Sequence, residues 1–183
     1  MRKMYLIHKI LFFCQKDGFK RAEYLKKHHL LAKIGDNIFF QPRNLPGDPK
    51  LIKLGNNISI ASNVIFCTHD VIHHVFNHMS DQENKKYTYT VGCIEIGDNV
   101  FVGANAIIMP NIKIGNDVIV GAGSVVTKDI KSGKIVAGNP AKEIGNYYDF
   151  KEIRLKKNLK NLKKSKEEIE KNAWDDFLKR YNN

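Results

Sequence analysis

Four of the seven histidines in this chain fall within ten residues, in the stretch FCTHDVIHHVFNHMSD. They are His69, His73, His74 and His78. A neutral imidazole accepts a proton near neutral pH and also ligates metal ions, so the spacing fits a general base, a metal site or a solvated polar loop. The stretch alone does not decide among these three. The choice depends on the elements that hold the histidines in place.

A repeat of six residues surrounds the histidines. From Ile96 the sequence divides into IGDNVF, VGANAI, IMPNIK, IGNDVI, VGAGSV and VTKDIK, and each unit begins with an aliphatic residue. The same phase occurs upstream from Leu54 and from Ile34, with a slip of two residues between positions 46 and 53. Period six fits neither a single strand nor a helix. It predicts a short strand and a turn, repeated, with three units closing one coil of about 18 residues.

The repeat predicts a parallel β-helix over residues 34–140, interrupted at about 69–93. The first residue of each unit is expected to point inward, and Gly, Asn and Asp are expected at the corners, where unusual backbone angles are needed. Residues 1–31 read as one or two helices broken near Asp17. Residues 150–181 read as a charged amphipathic helix or a helical hairpin. These flanks are expected to cover the open coil ends.

The run IGDNVFVGANAIIMPNIKIGNDVIVGAGSVVTKDIKSGKIVAGNPAK resembles the last coils of the hexapeptide-repeat acyltransferases, in the sugar, maltose and galactoside O-acetyltransferase branch. The resemblance covers about residues 34–145. It implies a mainly β fold, a left-handed parallel β-helix with flanking N- and C-terminal α-helices. We therefore expect an N-terminal helical segment at 1–33, a β-helix at 34–145 with a loop at 69–93, and a helical extension at 146–183.

The resemblance implies transfer of an acetyl group from acetyl-CoA to a hydroxyl of a sugar or polysaccharide. In that branch a loop at this position begins with the catalytic histidine, which corresponds to His69. General base catalysis contributes roughly 10² to 10⁴ in rate. No carboxylate that orients His69 is evident; Glu83 and Glu95 are candidates, and Asp70 is expected to face away. Residues expected at the acceptor site are Gln41, Asn44, Asp48, His73 and His74.

The same resemblance implies that acetyl-CoA lies along the later coils. Small residues would let it approach the backbone, and basic residues would meet its phosphates. The candidate positions are Phe101, Gly103, Ala104, Gly121, Ala122, Thr127, Lys128 and Lys142. The family is typically trimeric, with active sites between neighbouring β-helices, so the resemblance also implies a homotrimer. No metal is expected.

The net charge of +11 lies in the two flanks. Residues 1–33 carry nine Lys and Arg against two acids, residues 34–140 carry nine against nine, and residues 141–183 carry twelve against eight. Such flanks indicate an anionic partner or solvated helix faces. Association with a membrane surface is compatible with the charge but has no other support in the sequence. Without aromatic and basic interleaving in the coils, nucleic acid is not expected as a partner.

The remaining composition favours a cytoplasmic protein. The first apolar run, YLIHKILFFC, is interrupted by charge and is far too short to span a membrane. The three cysteines show no CxxC spacing, which argues against a disulfide framework or a zinc cluster.

Several alternative functions fit parts of the sequence. The acceptor could be an amino sugar, giving an N-acetyltransferase, or an antibiotic. The spacing from His69 to His74 is similar to the histidine pair of the gamma-class carbonic anhydrases, but position 33, where the third zinc ligand is expected, is Lys33. A non-catalytic β-helix scaffold would explain the charge but not the loop. The sequence fixes neither the acceptor nor the acyl group.

Overall fold

The computed structural model describes residues 2–79, 86–159, 162 and 164–180. It contains helices α1 Arg2–Phe13, α2 Gly18–Lys27, α3 His73–Phe76, α4 Tyr147–Leu159 and α5 Lys166–Leu178, and a short 3-10 helix at Pro49–Leu51. Its strands are β1 Lys33–Ile34, β2 Ile38–Phe40, β3 Ile52–Leu54, β4 Ile58–Ile60, β5 Ile65–Phe66, β6 Ile94–Ile96, β7 Val100–Val102, β8 Ile107–Ile108, β9 Ile112–Ile114, β10 Val118–Val120, β11 Val125–Val126, β12 Lys134–Ala137 and β13 Lys142–Asn146.

The strands stack in parallel into three sheets, as the period of six predicts. One sheet has the order β1-β3-β6-β9, the second β13-β12-β10-β7-β4-β2, and the third β11-β8-β5. Among the strands of the described residues, only β13 runs antiparallel to its neighbour, β12. Successive units along the chain therefore enter different sheets and return to the same sheet one coil later, which is the arrangement of a parallel β-helix.

The register shows where the repeat is regular and where it is not. Val100 lies opposite Val118, 18 residues later, which is one regular coil. Ile38 lies opposite Ile58, a spacing of 20, so the predicted slip of two residues is confirmed. Ile58 lies opposite Val100, a spacing of 42, so this turn of the coil contains 24 extra residues. The extra residues form the loop that carries the histidines.

The first residues of the units form a continuous apolar core, which confirms their predicted direction. Leu54, Ile60, Ile96, Ile108 and Ile114 are at most 1% exposed. Burying such a side chain contributes about 1.5–3 kcal/mol to folding, because apolar surface leaves water.

The corners have the unusual backbone angles at residue types that the sequence predicted, and most of these residues are asparagines. Positive φ occurs mainly at asparagines, such as Asn57 at 54° and Asn99 at 58°. Their side chains form a column in which Asn57 donates to Asn99 at 2.8 Å and Asn99 donates to Asp117 at 2.9 Å. The glycine after the aliphatic residue instead permits close stacking: a Cβ on Gly103 would lie 2.4 Å from the backbone nitrogen of Ala122.

The two N-terminal helices pack on the first coil. Asp17, between them, caps α2 by accepting a hydrogen bond from the backbone N–H of Lys20 at 2.9 Å. The buried guanidinium of Arg21 donates to the carbonyl of Phe40 in β2 at 3.0 Å. Phe12 of α1 is fully buried and contacts the ring of Phe40. Together these contacts cover the N-terminal end of the apolar core.

The chain divides into two compact units, residues 1–147 and 148–183. The first contains α1, α2 and all the coils. The second contains α5 and nearly all of α4, and α5 begins with a capping box between Ser165 and Glu168. None of the described helices is both long enough and apolar enough to cross a membrane.

Candidate functional site

His69 lies at the first residues of the inserted loop, directly after the third strand of its coil. Its backbone forms an antiparallel bridge with Val91 on the returning side of the loop. The N–H of Gly92 also donates to the carbonyl of Thr68 at 2.8 Å. The two sides of the loop are therefore joined where they leave the β-helix, and this fixes the backbone of His69.

The imidazole of His69 forms a short hydrogen bond with Asp48. Its Nδ1 lies 2.5 Å from Oδ2 of the carboxylate. The same oxygen accepts hydrogen bonds from the hydroxyl of Thr68 at 2.9 Å and from the hydroxyl of Tyr89 at 3.1 Å. Thr68 is 2% exposed, whereas the side chains of His69 and Asp48 are 35% and 30% exposed. Asp48 of the pair is therefore anchored to the buried Thr68, while both side chains of the pair remain partly exposed to solvent.

These hydrogen bonds lower the pKa of Asp48 and favour one tautomer of a neutral His69. Partial burial alone raises the pKa of Asp48, but the hydrogen bonds from His69, Thr68 and Tyr89 outweigh it, and the pKa lies below its ordinary value. The carboxylate is therefore ionised at neutral pH and can only accept hydrogen bonds. A neutral imidazole must then carry its proton on Nδ1. Within the described residues no hydrogen bond engages Nε2, which leaves its lone pair available as a base.

Asp48 was expected at the acceptor site, and one of its carboxylate oxygens lies within hydrogen-bond distance of three side chains of the protein, which makes it a candidate to orient His69. Of the other proposed partners of His69, Glu95 is engaged elsewhere. Glu95 pairs with Lys113 at 2.9 Å, and this hydrogen bond chiefly lowers the pKa of Glu95. Glu83 lies outside the described residues. Asp70 turns away, as expected, and accepts from the N–H of Ile72 at 3.0 Å.

The loop places an aromatic ring beside the imidazole. The ring of Tyr89, on the returning side of the loop, has its centroid 5.1 Å from that of His69. His73 lies at the edge of Tyr89, with centroids 6.1 Å apart, and its ring is tilted against that of His74, with centroids 4.2 Å apart. Nδ1 of His73 is buried and has no hydrogen-bond partner among the described residues. Nδ1 of His78 contacts the backbone carbonyl of His74, four residues earlier, at 2.6 Å.

A cleft of about 590 Å³ lies beside the pair. Gln41 and Asn44, two of the residues expected to bind the acceptor, line it, whereas His73 and His74 do not. Gly47, at the edge of the cleft, contacts the imidazole: a Cβ there would lie 3.0 Å from Cε1 of His69. The other lining residues are Phe13, Pro42, Arg43, Leu45, Pro46, Ser62, Asn63, Val64, Ile65 and Phe66.

The expected donor residues lie on later coils, and none of them lines this cleft. Phe101 points outward from β7 and is 44% exposed. Ala104 and Ala122 occupy the same corner one coil apart, and the carbonyl of Ala104 accepts from the N–H of Gly123 at 2.8 Å. Gly103 and Gly121 face the next coil. Thr127, Lys128 and Lys142 are all exposed.

The described residues contain no group of three or more His, Cys, Asp or Glu side chains placed to hold a metal ion. Two separate pairs lie in this region, His69 with Asp48 and His73 with the tilted ring of His74.

Comparison with known proteins places this fold in a family. Residues 93–128 match the family model described as bacterial transferase hexapeptide (six repeats). The chain is 31% identical over 136 residues to the YvoF protein of Bacillus subtilis (strain 168), covering 73% of this chain and 71% of that protein. The chain belongs to the hexapeptide-repeat acyltransferase family. It is also 46% identical over 99 residues to protein CapG of Staphylococcus aureus, covering 53% of this chain. This match spans only about half, 54%, of the length of CapG.

Solved structures of hexapeptide-repeat proteins share the architecture. A maltose O-acetyltransferase from Clostridium difficile 630 aligns with a TM-score of 0.58 at 28% identity, covering 79% of this chain and 85% of that one. A galactoside acetyltransferase in complex with coenzyme A aligns with a TM-score of 0.58 at 24% identity, covering 80% of each chain, and shows the common fold. The parallel β-helix is therefore of the left-handed, hexapeptide-repeat kind, as expected.

Proposed function

We propose that this protein transfers an acetyl group from acetyl-CoA to a hydroxyl group of a sugar or polysaccharide, with His69 as the general base. The observation that carries the proposal is the hydrogen bond between Nδ1 of His69 and the ionised carboxylate of Asp48. It favours the tautomer in which Nε2 carries the lone pair, and no hydrogen bond among the described residues engages that nitrogen.

The reaction needs one proton to move twice. Nε2 of His69 takes the proton of the acceptor hydroxyl while the hydroxyl oxygen bonds to the thioester carbonyl carbon. When the carbon–sulfur bond breaks, the imidazolium returns the proton to the departing thiolate. The carboxylate of Asp48 stabilises the imidazolium between these two steps and holds the ring in orientation. Thr68 and Tyr89 hold the carboxylate, so they are positioning residues.

The surroundings of the pair support a polyhydroxylated acceptor. Gln41 and Asn44 offer amide groups, which both donate and accept hydrogen bonds, in the cleft beside Gly47. The likeness to a maltose O-acetyltransferase points to the same class of acceptor.

The residues of the later coils fit the donor. Above Gly123, whose φ is 69°, there is open space, and a Cβ placed there would meet no atom within 4 Å. An extended acyl carrier can approach the backbone there, along the small residues Ala104 and Ala122. Lys128 and Lys142, later in the sequence, are exposed and carry the positive charge that binds phosphates. Acetyl-CoA supplies the activated acetyl group, while this chain supplies binding, orientation and the base.

A homotrimer is part of the proposal. The outer face of sheet β11-β8-β5 is apolar, with Ile65 50% exposed and Met109 36% exposed. By contrast, the outer face of sheet β1-β3-β6-β9 carries charged residues such as Lys53, Glu95 and Lys113. An apolar face of this kind favours contact with a second copy. A solution mass near three times 21.0 kDa, measured by light scattering, supports the trimer, and a monomer mass contradicts it.

The test is release of coenzyme A thiol from acetyl-CoA in the presence of sugars, amino sugars and acidic oligosaccharides. We expect release with one class of hydroxyl acceptor, and a decrease in kcat of at least about 10² in His69→Ala. The matched control is His78→Ala, in the same loop but outside the cluster, which should retain parent activity.

Three results would overturn the proposal. Acetyl-CoA that fails to bind would remove the donor assignment. Equal activity of His69→Ala and the parent would remove the base. Product analysis that finds the acetyl group on nitrogen would replace hydroxyl transfer with amine transfer.

A further inference from the structure

The outer face of helix α1 is apolar and uncovered within its unit. Five large apolar side chains along Leu6 to Phe13 are 47% to 59% exposed: Leu6, Ile7, Ile10, Leu11 and Phe13. At 100° per residue they form an arc about 160° wide. The opposite side packs inward, where Phe12 is fully buried and His8 contacts the hydroxyl of Tyr24 at 2.8 Å. The helix is therefore apolar on both its inner and its outer side.

The neighbouring helix α2 shows what an ordinary solvated face looks like in this protein. Its outer side carries Lys20, Glu23 and Lys26, with an ion pair between Lys20 and Glu23 at 2.8 Å. Since both helices pack on the same coil, solvent exposure alone does not explain the apolar residues of α1. An apolar patch of this size on one helix marks a binding surface.

The charge around this face selects its partner. The first sixteen residues contain no Asp or Glu. Lys9 lies at one border of the apolar arc, Lys16 follows three residues after the end of the helix, and the guanidinium of Arg43 lies 5.5 Å from the ring centroid of Phe13. Apolar side chains flanked by cations are the features of a helix that lies in the surface of an anionic membrane.

We propose that the outer face of α1, defined as Leu6, Ile7, Ile10, Leu11 and Phe13 with Lys9 at its border and Lys16 after the end of the helix, docks this protein on an anionic lipid bilayer. The helix has 12 residues and lies on the surface of the first coil, so it binds parallel to the bilayer and does not cross it. Its apolar side chains enter the boundary between headgroups and acyl chains, and its lysines contact the headgroups.

The position of this face adds a consequence that rests on the proposed function. Phe13 belongs to the outer face of α1 and also lines the cleft beside Gly47. A bilayer bound to α1 therefore lies next to the proposed acceptor site. The acceptor class that fits this arrangement is a saccharide attached to a membrane lipid, whose sugar enters the cleft from the bilayer surface.

The test is co-sedimentation of the full chain with vesicles of phosphatidylcholine alone or with about one third phosphatidylglycerol. We expect binding to the anionic vesicles that weakens with added salt. The double variant Ile7→Ser, Ile10→Ser should bind at least about tenfold more weakly, and Lys16→Gln about fivefold more weakly. Matched controls are Ile144→Ser, at a side chain 66% exposed on β13, and Lys131→Gln, and both should bind like the parent.

Each alternative binding partner of the outer face of α1 predicts a distinct result. If the double variant changes the solution mass but not vesicle binding, the face contacts a second copy, and the proposal is wrong. If Trp174→Ser abolishes vesicle binding while the double variant does not, the membrane contact lies in the second unit. Absence of binding by the parent at low salt also overturns the proposal. Vesicle binding requires no acetyl transfer, so its failure is separate from a failure of the thiol-release assay.

Discussion

The regular coils and the two interruptions of the repeat perform different tasks. Along the regular coils, positions 18 residues apart lie in register and contribute core side chains and corner asparagines. Asp48 lies instead in the first, 20-residue coil, and His69 and Tyr89 lie in the inserted loop. The candidate site residues thus lie where the repeat is interrupted, while the regular coils supply a rigid support.

The largest effect should come from a substitution in the regular coils, and it should change the stability of the protein but not its activity. Ile114 is fully buried in β9, and Ile114→Ala removes apolar contacts and leaves a cavity. We expect the free energy of unfolding to fall by about 2–5 kcal/mol, with kcat unchanged at temperatures where the variant is folded. Chemical denaturation measures the first quantity. Ile144→Ala, at an exposed site, is the control. A similar loss of unfolding free energy there would contradict the special role of the buried core.

A smaller effect is expected from the coil that departs from the repeat. Asp48→Asn removes the charge that stabilises the imidazolium of His69, and we expect kcat to fall about 10- to 100-fold at little change in KM. An unchanged kcat would show that the carboxylate is only structural.

The same variant has a pH-dependent stability effect. Because the pKa of folded Asp48 is below its ordinary value, its stabilising contribution is present above about pH 4 and is lost as pH falls through the folded pKa. Urea titrations should therefore show a gap of about 1 kcal/mol between parent and variant at pH 7 that narrows as the pH is lowered to 3. A gap of the same size at both pH values would rule out the charged carboxylate as its cause.

The smallest effect is expected at the returning side of the loop. Tyr89→Phe keeps the ring beside His69 but removes the hydroxyl that donates to Asp48. Because His69 and Thr68 still donate to the carboxylate, kcat should fall only about 3- to 10-fold. Tyr87→Phe, two residues earlier in the loop, is the matched control. A loss as large as that of Asp48→Asn would assign Tyr89 a direct role with the acceptor.

The sequence predicted the regular part well because its signal is repeated many times. Each unit repeats the same inward residue, so the strands, the slip and the loop could be located without any side-chain geometry. The partner of His69 was harder to predict, because Asp48 and His69 are 21 residues apart and carry no local motif. A signal was nevertheless available: in the coil with 20-residue spacing, position 48 lies beneath position 68, which places its carboxylate beside the next residue.

The corner glycines show a second limit of prediction from the sequence. A glycine in a repeat suggests an unusual φ, but Gly103 is required because the next coil lies too close for a Cβ, and this is a property of stacking. Asparagines such as Asn99 carry the positive φ and also bond to the neighbouring coil. Sequence alone does not separate these two reasons for a small or polar corner residue.

The inserted loop also has a thermodynamic consequence for how such a protein can change. Strands β4 and β7 pair at a spacing of 42 where a regular coil has 18, yet chain-closure entropy grows only with the logarithm of length. Closing the longer segment costs only about 0.7 kcal/mol more. The β-helix can therefore accept loops of very different length and composition beside His69 at little cost in free energy, and the surroundings of the candidate site can diverge while the scaffold remains the same.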